Sequence, residues 1–127
     1  MEQTSKQSIV GRETEKQKVA FEAPERTVYV YFGEDDGATM GSGICYLPEH
    51  SSNENHTHYE EDEVIFVLQG KIKFVFPDYE RTLKPFEAIY IPKNEEHQIF
   101  NVGKGMAAHT FTFSPAGNEK NILKKYR

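Results

Sequence analysis

Residues 55–70 read NHTHYEEDEVIFVLQG. His56 and His58 stand one residue apart. Four consecutive acids follow (Glu60, Glu61, Asp62, Glu63), then an apolar run that ends at Gly70. The run VIFVL is rich in β-branched and aromatic residues and reads as a strand. On extended backbone, residues two apart point the same way with Cα atoms about 6.6 Å apart, so His56 and His58 can aim both imidazoles at one point. A metal–imidazole bond is about 2 Å long, which lets two such rings share one ion. Glu63 opens the apolar strand, where a rigid backbone can hold a carboxylate inward. Glu60, Glu61 and Asp62 occupy the turn before it and face water more naturally. Glu63 is therefore the expected partner of the histidines, and Asp62 takes its place if the turn is one residue shorter.

The same texture continues on either side. TVYVYF (27–32) is followed by a turn cluster, GEDDG (33–37), and ATMGSGICYL (38–47) is a glycine-interrupted strand that stops at Pro48. VIFVLQG (64–70) and KIKFVF (71–76) are expected to pair as a hairpin with Gly70 at the tight connection. ERTLK (80–84), AIYIP (88–92), HQIFNV (97–102) and MAAHTFTF (106–113) follow, each bounded by Pro, Gly, Asn or acidic turns. Only NEKNILKKY (118–126) suits a short terminal helix, with Asn118 as its cap. Residues 1–18 are polar and read as an arm, leaving 19–127 as the single domain. Many short strands without interior helices predict an all-β sandwich or barrel of antiparallel strands.

Composition narrows the function classes. A chain of 127 residues is one domain by length. Its formal net charge of −5 argues against a nucleic-acid partner, which needs clustered Lys and Arg. Lys124, Lys125 and Arg127 form only a short basic tail, expected to be a solvated terminus. No stretch reaches the apolar length of a membrane span, and the first residues lack an apolar signal core. Cys45 is the only cysteine, which predicts a reducing, cytoplasmic setting and a small strand filler rather than a reactive thiol.

A second constellation lies in AIYIPKNEEHQIFN (88–101). His97 begins a strand after an acidic turn, and in an antiparallel barrel that strand can lie beside His56 and His58. Three imidazoles and one carboxylate suit a six-coordinate iron, manganese, nickel or cobalt ion with two open positions; zinc is also accepted, usually with fewer ligands. With both stretches in view, the chain resembles a small single-domain cupin, a double-stranded β-helix protein. The first cupin motif is Gly, five residues, His-x-His, three or four residues, Glu, six residues, Gly. It matches here from His56 through Glu63 to Gly70 (motif span 50–70), and the six-residue gap selects Glu63 over its acidic neighbours. The second motif matches at Pro92, His97 and Asn101 (motif span 86–101). His50, Phe86 and Asn94 stand where the motifs place glycines. Asn tolerates left-handed backbone, so Asn94 is expected to keep its turn.

The resemblance implies a cupin jelly roll and one divalent transition metal held by His56, His58, Glu63 and His97. It further implies a metal-dependent small-molecule enzyme of the lyase, isomerase or dioxygenase kind; the alternative is a non-catalytic binding or sensory cupin. Small cupins typically form homodimers, and the N-terminal region is expected to contribute. Catalytic groups beyond the ligands are only candidates. Tyr46 and Tyr90 are the strand tyrosines nearest the motifs. His109 alternates with Phe111 and Phe113, which predicts an inward ring, either a satisfied core histidine or a base. His50 reads as a surface residue. Glu60, Glu61, Asp62, Glu95 and Glu96 are expected to rim the mouth and disfavour anions, since all four arginines lie outside the motifs, although Arg26 or Lys73 can reach inward from a strand.

Overall fold

The computed structural model describes residues 7–124, with the side chains of Thr14 and Lys124 excepted. The first residues of the polar arm and the end of the basic tail, Lys125 to Arg127, lie outside the described residues. Among the described residues there are nine strands: β1 (Gln17–Glu22), β2 (Glu25–Phe32), β3 (Gly41–Leu47), β4 (Asp62–Gln69), β5 (Ile72–Val75), β6 (Glu80–Leu83), β7 (Ala88–Ile91), β8 (Gln98–Asn101) and β9 (Ala107–Ser114). A short helix, α1 (Glu119–Lys124), follows. One sheet runs β1-β2-β3-β9-β4-β7 and the other β6-β5-β8, with every pairing antiparallel. This is the all-β antiparallel architecture that the strand texture predicts, arranged as the jelly roll that the cupin resemblance implies.

Alternation along the strands makes one core. Glu63, Ile65 and Val67 of β4 point inward while Val64, Phe66 and Leu68 point out. Ile72 and Phe74 of β5 reach the same core from the other sheet and are fully buried. Each such side chain contributes about 1.5–3 kcal/mol through burial.

Two expectations need correction. β4 and β5 do not form a hairpin: β4 pairs with β9 and β7, whereas β5 pairs with β6 and β8. Gly70 instead carries the chain from one sheet to the other in left-handed backbone at φ 84°, which glycine adopts without steric penalty. Both strands present apolar residues to one core from opposite sides, and a hairpin within one sheet would leave that core uncovered. The arm is also shorter than expected. Residues 13–15 form a 3-10 turn, and β1 begins at Gln17.

The motif glycine positions keep their geometry without glycine. His50, Phe86 and Asn94 adopt φ values of 69°, 71° and 73°, so all three turns are left-handed, not Asn94's alone.

Candidate metal centre

His56 is placed by backbone. Its N–H donates to the His97 carbonyl and the His97 N–H donates to the His56 carbonyl, both at 2.9 Å. This reciprocal pair aligns residues 52–56 with β8 and sets two imidazoles side by side, their ring centroids 4.3 Å apart. Two residues on, the His58 carbonyl accepts the Asn94 N–H at 2.7 Å, so the left-handed turn at Asn94 staples the first motif to the second. Glu63 enters from the inward parity of β4, next to Ile91 and Phe113. Asp62, one residue earlier, faces the other way and accepts the Lys93 N–H at 2.9 Å.

The structure brings together His56, His58, Glu63 and His97. One donor atom from each lies within 4.8 Å of all the others. Two of the rings are oriented by local carbonyls: His56 Nδ1 lies 2.8 Å from the Glu54 carbonyl and His97 Nδ1 2.8 Å from that of Glu95. A carbonyl oxygen only accepts, so each Nδ1 carries the proton and each neutral ring offers its Nε2 lone pair to the centre. His58 Nε2 is 3.1 Å from His56 Nε2 and 3.3 Å from Glu63 Oε1.

Burial and charge work against each other here. Burial alone pushes the Glu63 carboxyl up, but the His58 and His97 imidazoles outweigh it and bring the group down to about 2. Burial, then the neighbouring His97, brings His56 down to about 4. Burial also opposes charge on His58, but the Glu63 and Glu61 carboxylates prevail and raise it above its ordinary value.

Glu63 Oε1 and His97 Nε2 are buried and have no hydrogen-bond partner among the described residues. Leaving a buried polar atom unsatisfied is expensive, about 1–3 kcal/mol each, and in a native structure it calls for a missing partner. Both orphans belong to the four-donor group. Three nitrogens and one oxygen converge, and they match a divalent transition ion once His58 gives up its proton.

The centre opens onto a cavity of about 230 Å³ whose other walls include Arg26, Cys45, His109, Phe111 and Asn118. His109 is inward and buried, as its alternation predicts. Its Nδ1 donates to the Thr110 carbonyl at 2.7 Å, and burial lowers its pKa. Tyr46 and Tyr90 are elsewhere. Tyr46 is on the outer face of β3 and its hydroxyl donates to Glu13 at 2.8 Å. Tyr90 is exposed on β7, with its hydroxyl on Asp62. Neither lines the cavity.

The acidic rim is likewise not where it was expected. Asp62, Glu95 and Glu96 are held on the outside by Lys93, Tyr79 and Asn55, Glu60 is exposed, and Glu61 turns towards His58. None of them lines the cavity, whereas Glu54 and the buried Arg26 do. The Arg26 guanidinium lies over the Phe21 ring, 3.7 Å from its centroid. Asn101, the last residue of the second motif, is structural: its amide reaches the carbonyls of Leu47, Pro48 and Gly105, and its oxygen accepts the Gly103 N–H. Sequence reasoning missed Asn118, whose carboxamide lies 2.8 Å from His58 Nδ1, because only the fold joins positions so far apart.

Known proteins resemble this chain over part of its length. Germin-like protein 1 of Brassica napus is 40% identical over 73 residues, which are 54% of this chain and 35% of that protein. The chain thus spans about a third of the length of the germin-like relatives it matches. A predicted oxalate decarboxylase from Thermotoga maritima superposes with a TM-score of 0.75 at 19% identity, covering 84% of this chain and 99% of that one. The polyketide cyclase RemF from Streptomyces resistomycificus superposes at 0.72 with 23% identity, covering 85% and 80%. At such identities the likeness is one of fold. The family model for the cupin domain matches residues 43–113, a span that contains both motifs and all four converging donors and more than half of the sequence, and the chain therefore belongs to the cupin domain family.

Proposed function

We propose that this protein is a metal-dependent enzyme acting on a small molecule, with His56, His58, Glu63 and His97 holding one divalent iron, manganese, nickel, cobalt or zinc ion. The observation that carries the reading is the pair of buried atoms without a hydrogen bond, Glu63 Oε1 and His97 Nε2, 3.6 Å apart inside a four-donor group that faces a cavity. When bound, such an ion polarises a ligand oxygen as a Lewis acid or, as iron, activates dioxygen. The chain's own residues supply the rest. Phe111 and Phe113 keep water from one side of the cavity. Arg26 and Glu54 place charge of both signs in its wall, which puts small carboxylates as well as neutral and zwitterionic compounds among the substrates to be screened. His109, neutral and buried against the same cavity, is positioned to take up a proton.

The fold hosts more than one chemistry: its relatives in structure include the predicted decarboxylase and the cyclase, so the reading stops at a lyase, isomerase or dioxygenase. Cys45, a buried free thiol, agrees with a cytoplasmic setting. No helix among the described residues is long and apolar enough to cross a membrane.

Elemental analysis of the purified protein should find about one transition ion per chain. His58→Ala and His97→Ala should lose it while keeping a β-type circular dichroism spectrum. Equal metal content in wild type and both variants overturns the assignment. Metal-dependent turnover that disappears in Glu63→Ala decides for an enzyme, whereas saturable binding without turnover decides for a binding protein.

A further inference from the structure

Of the three imidazoles at the centre, two are aimed by carbonyls two residues upstream in their own segment. His58 is the exception. Its Nδ1 instead faces the Asn118 amide nitrogen, Nδ2, at 2.8 Å and Glu61 Oε1 at 3.5 Å. Asn118 immediately precedes α1, so the third ring takes its bearing from the far end of the chain.

The position of Asn118 is itself fixed. Its neighbour Glu119 is only 2% exposed, and its carboxylate accepts the Glu34 N–H at 2.9 Å and the Gly117 N–H at 2.8 Å. It fills a slot between Gly33 and Gly41, where a Cβ would come within 2.4 Å and 2.2 Å of its oxygens. The Ala116 N–H donates to the Thr39 carbonyl at 3.0 Å, and Lys120 pairs with Glu34 and Asp35. The start of α1 is thus clamped onto the turn between β2 and β3. Beyond the clamp, Asn121 and Ile122 lie along the wall of the same cavity.

We infer that Asn118 is a positioning residue for His58, and that through this contact the docking of α1 and the loading of the metal centre are linked. The inference rests on the reading of His56, His58, Glu63 and His97 as ligands. An imidazole that binds an ion through Nε2 carries its proton on Nδ1 and needs an acceptor there. The Asn118 carboxamide provides one through its oxygen after a half-turn, since its two ends are nearly the same shape, and Asn121, already 2.7 Å from Asn118 Oδ1, follows the exchange. Helix docking then strengthens ion binding, and ion binding strengthens helix docking by the same factor, because the coupling is reciprocal.

The test uses the full-length protein and Co(II) alone. Calorimetry or competition with a chromophoric chelator gives the affinity, and hydrogen exchange reports on residues 117–124. Asn118→Ala should bind Co(II) about tenfold more weakly than wild type, the low end of the range for such outer partners. Asn118→Asp, whose carboxylate also accepts the Nδ1 proton, should restore the affinity. Gly33→Ala, whose added methyl meets the Glu119 side chain first, should weaken Co(II) as Asn118→Ala does. Co(II) should slow exchange across 117–124 in wild type and not in Asn118→Ala. Undiminished affinity in Asn118→Ala, or exchange in wild type that ignores the ion, overturns the linkage while leaving the centre intact. A wild-type protein that binds no Co(II) overturns the centre itself.

Discussion

Phe86 carries a bulky side chain in left-handed backbone, at φ 71°, and its ring is 78% exposed. Non-glycine residues lose about 1–2 kcal/mol in that conformation, and the ring recovers little of it, touching only Phe66 edge-on among the aromatics at 6.4 Å. Phe86→Gly relieves the strain at the expense of about 0.5–1 kcal/mol of backbone entropy. A net gain of roughly 0.5–1 kcal/mol is expected, read as a thermal midpoint raised by a few degrees. A midpoint lowered by Phe86→Gly means that the ring stabilises the fold through contacts beyond Phe66. His50 and Asn94 show the same backbone with less bulk. The cupin spacing identifies all three as turn positions, and the structure adds that the turns survive without the glycine, held by bonds such as Phe86 N–H to the Val67 carbonyl at 2.8 Å.

Among the elements, the crossover at Gly70 separates two penalties that usually come together. Its φ is 84° and a Cβ there would lie 2.8 Å from the Cβ of Ala107. Gly105 has a similar φ, 75°, with nothing near. Gly105→Ala should therefore lose roughly 1 kcal/mol from conformation alone, and Gly70→Ala roughly 2–4 kcal/mol from conformation and overpacking together. Equal losses in urea titrations would mean that the two sheets slide apart readily at this corner. The same corner shows where sequence reading stops. Two apolar runs around one glycine look alike whether they pair with each other or face each other across a core, because pairing is decided by distant strands. β1 escaped notice because only Val19 and Phe21 of its six residues are buried. In β3 the usual parity is inverted: Gly41, Gly43 and Cys45 face inward, where Phe111 and Phe113 of β9 fill the space, so the bulky Ile44 and Tyr46 face out. Tyr46 thereby loses its place in the site, and Arg26 gains one by alternating with Val28 and Val30. The ligand positions were legible because the spacing within each motif is local. The joining of the motifs and the contact from Asn118 depend on long-range structure.

Across the whole molecule, the larger sheet ends in β7, and next to that edge the outer face of β4 shows Val64, Phe66 and Leu68 at 44%, 38% and 38% exposure. Phe86 and Tyr90 extend the patch. A contiguous apolar face beside an open strand edge is the usual mark of an interface. A homodimer through this face is expected, persisting at about 10 μM or below as stable dimers do. Light scattering of wild type should give twice the chain mass, and Phe66→Lys with Leu68→Lys should give the monomer with its metal content unchanged. A wild-type monomer at that concentration removes the expectation. The dimer also bears on the residue scale: if Phe86 is seated in the interface, Phe86→Gly should stabilise the chain while weakening the pair.

The backbone bonds between His56 and His97 have one more consequence, for the timing of assembly. A ladder pair rather than an ion holds these two rings together, so the donors meet only after the ribosome has released β8 and the small sheet has closed. Before His97 emerges the chain carries His56, His58 and Glu63, three of the four donors, on backbone that the small sheet has not yet fixed. On the metal-centre reading, loading is then the last step of maturation and takes place on a barrel already formed. Chelated protein should accordingly stay folded and refill on dilution into metal. With a nitrogen-rich donor set of this kind, affinity alone favours the late members of the first transition row, so the occupant in a living cell is decided by which ions are free when the finished barrel meets them.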